Sequence, residues 1–394
     1  MSKPINNHSA PESSGLFQRM LDLIEYIGNK FPTPFMLFAL LAVAVLIVSF
    51  LLEGTSAAYV GKEGKKVVVK VVSLLNADGF RYIMQDMIKN FINFPPLGLV
   101  VVMMIAMGLA ESTGFVSAVV RKALLGVPPW AVTATIFFIG INGNLASDAA
   151  MVFVPAAAAA VYAGMGRNPI LGMSIAYAAT AAGFSANIIP AGTDALIAGI
   201  TQTAIKTIPQ TANSPVHVLI NYYLMSSSVF VLTIVGTIVA EKIVAPRLEK
   251  LELNTEITGD TKEHALTPEE LKGLKYAGIA ALAYIALLAV LIIPEAGLLR
   301  DPKTHTLIPR SPLLNSVIPI LFFFFVSTGV AFGIGKGLIK NEADVTKYLT
   351  KGLGGGVSFI VTAFSAAQFI AWFNKTNLAS VIAIKGAEFL QSMS

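Results

Sequence analysis

Asn142-Gly143-Asn144-Leu145-Ala146-Ser147-Asp148 runs straight into Ala149-Ala150-Met151-Val152-Phe153-Val154-Pro155. A second stretch of the same character is Gly183-Phe184-Ser185-Ala186-Asn187-Ile188-Ile189-Pro190-Ala191-Gly192-Thr193-Asp194. Both place Gly or Pro, which free backbone amides and carbonyls, beside Asn, Ser, Thr and an acid, inside otherwise apolar sequence. Non-helical backbone at membrane depth is tolerated only where protein or a water-filled cavity satisfies it. Paired interruptions of this kind mark the binding sites of secondary transporters. The expected fold is an all-α polytopic membrane protein, an inverted-repeat carrier with a re-entrant hairpin and a broken transmembrane helix.

Composition supports the membrane setting. The chain is 55% hydrophobic and 13% charged, about half the charge of an average soluble domain. With no cysteine, a disulfide framework and a thiolate metal site are both excluded. His8, His217, His264 and His305 lie in polar segments or near expected helix ends. They lack H-x-x-x-H spacing, so no zinc site is expected. The net charge of +5 suits basic cytoplasmic loops, and no basic patch alternates with aromatics as nucleic-acid binding would require. The first thirty residues are polar, and no A-x-A-like site follows the first apolar run. A retained first helix is therefore expected.

A bilayer-spanning helix needs about 20 residues. Pro34–Leu52, Leu97–Val120, Val216–Ala240, Leu274–Ile293, Leu313–Phe332 and Gly355–Phe373 are the candidates. Between the first two, a polar loop holds a strand-like run from Lys65 to Val72 and an amphipathic stretch, Phe80–Phe94, suited to the membrane interface. The arms around Asn142–Asp148 are each too short to span, which predicts a hairpin over 130–163. A helix over 170–206 is long enough to cross but is broken at Gly183–Thr193. The expected organisation is a cytoplasmic N-terminus (1–32), a first transmembrane repeat (33–240), a cytoplasmic linker (241–272) and a second repeat (273–394). Thr267-Pro268-Glu269-Glu270 reads as a helix start, and the Lys and Arg distribution favours the N-terminus inside. Thr113, Ser117 and Lys122 recur as Thr376, Ser380 and Lys385, a faint internal repeat whose copies would enter the bilayer from opposite sides. No second hairpin tip or broken helix follows Lys385, so the second repeat is expected to be incomplete.

Glu111, Asp148 and Asp194 are acids in apolar segments, where each costs about 2.5–3.5 kcal/mol even on the permissive insertion scale. Asp148, Asn187, Asp194 and Asn374 are the candidate substrate-binding residues. Asp148 stands at an expected helix start, beside amides suited to a carboxylate, although Asp and Ser there also serve as plain N-caps. The capping alternative is stronger for Asp194. Asn187, between Gly183 and Pro190, can both donate and accept. Asn144, Ser147, Gly192 and Thr193 offer carbonyl and hydroxyl oxygens to a hard cation such as sodium. Glu111 aligns with Asn374 in the repeat. No catalytic constellation is read.

Ser73-Leu74-Leu75-Asn76-Ala77-Asp78-Gly79-Phe80, the Leu145–Ala149 tip, Gly183–Asn187, Leu196–Gln202 and Ala366–Asn374 resemble the AbgT family of aminobenzoyl-glutamate transporters and antimetabolite exporters. The divalent-anion/sodium symporters are a more distant likeness. The AbgT resemblance implies a homodimer of inverted repeats in the bacterial inner membrane. It implies transport of p-aminobenzoyl-glutamate or sulfonamide-like antimetabolites, coupled to sodium or protons, with Asp148, Asn187 and Asp194 at motif positions. Expected partners are thus a small-molecule substrate, membrane lipid and a second copy of the chain, with no nucleic acid. Two rivals are a channel and an intramembrane aspartyl protease. The latter would need Tyr-Asp and Gly-x-Gly-Asp, where this chain has Ser147-Asp148 and Gly192-Thr193-Asp194.

Overall fold

A computed structural model describes residues 30–60, 66–125, 127–143, 150–183, 186–207, 214–249, 266–307 and 311–393. Asn144, Ser147 and Asp148, at the expected hairpin tip, lie outside the described residues.

The apolar run after Thr33 forms α1, Pro34–Leu51, with proline at a first-turn position where its missing N–H costs nothing. A β-hairpin follows: β1, Ser56–Val60, pairs antiparallel with β2, Lys66–Lys70, in register Ser56↔Lys70. The strand-like valine run is β2. The amphipathic stretch forms α2, Ala77–Ile92, whose Asn76 cap accepts from the Gly79 amide at 2.7 Å.

The span expected over 97–120 stops early. Helix α3 covers Pro95–Ser112, and α4 starts at Phe115 and runs to Leu125. Between them Thr113 ends the helix and Gly114 adopts φ +85, a left-handed conformation that an uninterrupted helix cannot contain. The same local turn recurs between α13, Val357–Lys375, and α14, Leu378–Met393. There Thr376 ends the helix and Asn377 takes φ +60. Thr113 and Thr376 are both buried, and their hydroxyls donate to the carbonyls of Ala110 and Phe373 respectively.

Next come α5, Val132–Ile141, and α6, Ala150–Gly164. At 1.5 Å per residue they reach only about 15 and 22 Å, short of the roughly 30 Å hydrocarbon core. Helix α7, Pro169–Ala182, leads to α8, Gly192–Thr207. Helix α9, Tyr222–Val239, continues through a π-helical turn at Ala240–Val244 to Leu248. Helix α10, Pro268–Ile292, begins in a capping box in which Thr267 and Glu270 exchange side-chain-to-backbone bonds at 3.2 Å. Helices α11, Val317–Lys336, and α12, Glu342–Leu353, precede α13. Among the described residues, six helical stretches are long and apolar enough to cross a membrane.

Of the five buried apolar clusters among the described residues, two flank the broken helix. The first joins α5, α6, α7 and α9 through Ile136, Phe137, Tyr162, Leu171, Ile175 and Val229. The second joins α3, α8 and α11 through Met103, Ala106, Ala195, Leu321 and Phe325. Helices α7 and α8 therefore belong to different cores, and the interruption between them lies at the boundary.

Candidate functional site

The break is built by backbone chemistry. Gly183 closes α7, its amide donating to Ala179 O at 3.0 Å. A Cβ at this position would lie 2.6 Å from both Ala179 O and Ile141 Cγ1, so only glycine lets the end of α5 lie against the break. Pro190 carries no amide hydrogen to continue a helix. The chain resumes helical bonding only at Gly192. The interruption expected over Gly183–Thr193 is thus present, although α8 starts slightly before its end.

Side chains then fill in for the missing helix bonds. Asn142, at the end of α5, accepts from the Ile188 amide at 2.9 Å and donates to Phe138 O at 2.8 Å. It ties the hairpin arm to the break. Sequence reasoning read Asn142 only as part of a polar stretch, because its partner is far along the chain. Asn187, 1% exposed, donates through Nδ2 to Asp194 Oδ2 at 2.9 Å, and the Ala191 amide donates to the same oxygen at 2.7 Å. Asp194 is thereby the acid in the first turn of α8 that reaches back to an amide before the helix, half of a capping box. It braces the break from within, in the manner of its capping alternative.

Thr193 differs. Its hydroxyl oxygen is buried and has no hydrogen-bond partner among the described residues. An unmade bond of this kind costs about 1–3 kcal/mol. Gly192 beside it leaves open space: a Cβ there would only just reach Met103 of α3, at 4.0 Å. Small residues, a spare hydroxyl and a carboxylate thus meet where α8 begins against α3. The break brings together Asn187, Gly192, Thr193 and Asp194. Asn374 lies elsewhere, near the end of α13, where neighbouring Trp372 and Phe373 pack with β2, α1 and α14.

A second polar cluster stands at the opposite end of the hairpin arms. Arg167, in the α6–α7 connection, forms a bidentate pair with Glu241: Nη1 to Oε1 at 2.9 Å and Nη2 to Oε2 at 3.0 Å. Its Nε reaches Glu249 at 2.9 Å, and its guanidinium lies 4.8 Å from the centre of the Tyr162 ring. The bond to Glu241 raises the Arg167 pKa above its ordinary value. Thr133 of α5 donates to the same Glu241 carboxylate. Its single hydroxyl hydrogen is then used, so the 2.5 Å contact with the Tyr162 hydroxyl has tyrosine as donor. A third cluster joins α4, α10 and α11, where Glu270 accepts from Arg121 at 2.7 Å and Lys336 at 3.1 Å. The sequence offered no signal for either ion-pair cluster beyond charges near helix ends.

Residues 19–394 match the sequence model of the "AbgT putative transporter family". The chain is 36% identical over 387 residues to the p-aminobenzoyl-glutamate transport protein of Escherichia coli strain K12, covering 98% of this chain and 74% of that one. Its fold is similar to the YdaH transporter of Alcanivorax borkumensis, described as having an unusual topology, at TM-score 0.84 and 28% identity over 92% of this chain and 75% of that one. It is similar too to MtrF of Neisseria gonorrhoeae, described among a class of antimetabolite efflux pumps. There the TM-score is 0.86 and the identity 34%, over 94% of this chain and 75% of that one. With a broken helix at the boundary of two cores, six spanning candidates and a family match over nearly its whole length, this chain belongs to the AbgT family, and is a multi-span membrane transporter rather than an enzyme.

Proposed function

We propose that the protein is an ion-coupled secondary carrier of amphipathic aromatic carboxylates, p-aminobenzoyl-glutamate or sulfonamide-type antimetabolites, in the bacterial inner membrane, with its N-terminus cytoplasmic. The observation that carries this reading is the buried Thr193 hydroxyl at the broken helix, which has no partner among the described residues. A ligand or coupling cation supplies the partner this oxygen lacks. Asp148, Asn187 and Asp194 line the substrate site; Asn374, placed with the β-hairpin and α14, is left out of it. Thr193, Gly192, Asn144 and Ser147 supply oxygens to sodium, and Asp148 carries the proton if coupling is to protons instead. The relatives' names support the substrate class. The working unit is a homodimer of inverted repeats, and transport proceeds by alternating access.

The test is counterflow in liposomes. Vesicles preloaded with unlabelled p-aminobenzoyl-glutamate should take up labelled compound faster than empty vesicles, whereas a channel gives no acceleration. Asp148→Asn, which keeps a good N-cap, should fold yet lose ion-driven transport. Wild-type driven rates in that variant would remove Asp148 from the site.

A further inference from the structure

The Arg167–Glu241 cluster is absent from the substrate and cation site above, yet it ties several elements together. It draws in four elements: α5 through Thr133, α6 through Tyr162, the α6–α7 connection through Arg167, and α9 through Glu241 and Glu249. Asn168 adds a fifth tie, its Nδ2 donating to Leu248 O at 3.0 Å while its Oδ1 caps α7. Glu241 sits in the π-helical turn, a departure from α-helical bonding that is rare and concentrates at functional positions.

Stability alone is a poor reason for such a cluster. Side chains of Arg167 and Glu241 are 23% and 37% exposed, and ion pairs that stay this open contribute little to stability. A bidentate guanidinium–carboxylate pair instead fixes relative geometry, because two parallel bonds allow little rotation. The helices it joins also share one continuous apolar core, with Val132, Tyr162, Leu171, Ala240 and Ala245 all buried. Parting the pair would mean opening that core. Across the break, α8 packs into the other core with α3 and α11.

We propose that Arg167 and Glu241 are positioning residues for transport, forming a joint that stays closed throughout the cycle. They hold α5, α6, α7 and α9 as one unit, so that displacement during transport occurs at the α7–α8 break rather than within the hairpin base.

Glu241→Gln keeps the shape and removes the charge that accepts both guanidinium bonds. It should lower turnover about tenfold while leaving both the Kd and the number of p-aminobenzoyl-glutamate sites per protein unchanged, a combination that simple loss of folded protein, which lowers the number of sites, does not produce. Because the chain has no native cysteine, Arg167→Cys combined with Glu241→Cys gives a clean pair. Turnover should be low with the pair open and restored when a short bifunctional methanethiosulfonate bridges it. Arrest on bridging would overturn the proposal, since it would mean that the pair must separate during transport. Wild-type turnover in Glu241→Gln, or a Kd that worsens in step with turnover, would overturn it as well. The flux assay rests on the proposed substrate, so amide hydrogen exchange in nanodiscs provides an independent arm. Glu241→Gln should speed exchange at the start of α5 and the end of α9 about tenfold, leaving α3 and α11 unchanged. A uniform rise, or none, refutes the joint even if the wild-type chain proves not to carry p-aminobenzoyl-glutamate; that result by itself refutes only the substrate assignment.

Discussion

The α7–α8 break and the Arg167 cluster are both polar groups amid apolar helices, but their hydrogen bonds are balanced differently. At the Arg167 end, Tyr162 donates to Thr133, Thr133 donates to Glu241, and the guanidinium donates to both carboxylate oxygens. At the break, Asn187, Ala191 and Asp194 satisfy one another while Thr193 is left with a buried hydroxyl unmatched. A closed network holds shape, because every change in it loses bonds. A network with one spare group is poised for a ligand, because binding adds a bond and loses none. On this difference rest both proposals, a structural joint at Arg167 and a binding site at the break.

The largest effect should follow from closing the break sterically. Gly183→Val adds branches where even a Cβ lies 2.6 Å from Ile141 Cγ1 and from a backbone oxygen. It should destabilise the protein by about 3 kcal/mol or more and abolish transport, as read by thermal unfolding in detergent and by flux. A mild effect on both would show that the hairpin arm and the break move independently.

The same Thr→Val change at two positions tests the contrast directly. Thr133→Val strands the Tyr162 hydroxyl and removes a donor from Glu241, so it should cost about 1–3 kcal/mol of stability. Thr193→Val removes a hydroxyl that has no hydrogen-bond partner among the described residues. It should leave the unfolding temperature unchanged or slightly raised, while weakening ligand or cation affinity about tenfold. Equal losses of stability at the two sites would erase the distinction drawn between them.

The smallest effect is expected where similar chemistry faces water. In the connection after α10, Asp301 Oδ1 accepts from the Thr304 and Lys303 amides, each at 2.8 Å. Those bonds to Thr304 first, then Lys303, hold its pKa below the ordinary aspartate value. A lowered folded pKa means that the contribution is present above the unfolded pKa and is lost as pH falls through the folded one. Acidification below the usual carboxylate range should therefore speed exchange of the Lys303 and Thr304 amides without shifting global unfolding. A global shift at that pH would place the sensitive carboxylate elsewhere.

Much of this molecule is legible in the residue order. Long apolar runs mark the spans, and Thr267-Pro268-Glu269-Glu270 marks the start of α10, because capping and hydropathy act over a few residues. Gly183 and Pro190 announce the break for the same reason. The span expected through Val120 was misplaced because its residues stay apolar past Ser112, while Gly114 turns the chain through a conformation that hydropathy does not register. Asp194 was legible as either ligand or cap, and the structure shows it bonded as a cap at the break. Asn374 entered through an aligned repeat, yet its surroundings are those of the β-hairpin and α14.

What the sequence by itself determined is local: where helices can run, where backbone bonding must stop, and which polar residues lie at the interruptions. Such preferences depend on side chains within one or two helical turns. Tertiary structure alone decided which distant groups meet. Asn142 finds the Ile188 amide, and Arg167 finds Glu241 across the broken helix α7–α8 and the whole of α9. Nothing in either segment specifies its partner, because that choice follows from how α5, α6, α7 and α9 bury a shared apolar core. The Thr193 hydroxyl is the same kind of result: threonine is polar in any sequence, but only packing can seal it from water and leave it without a partner among the described residues.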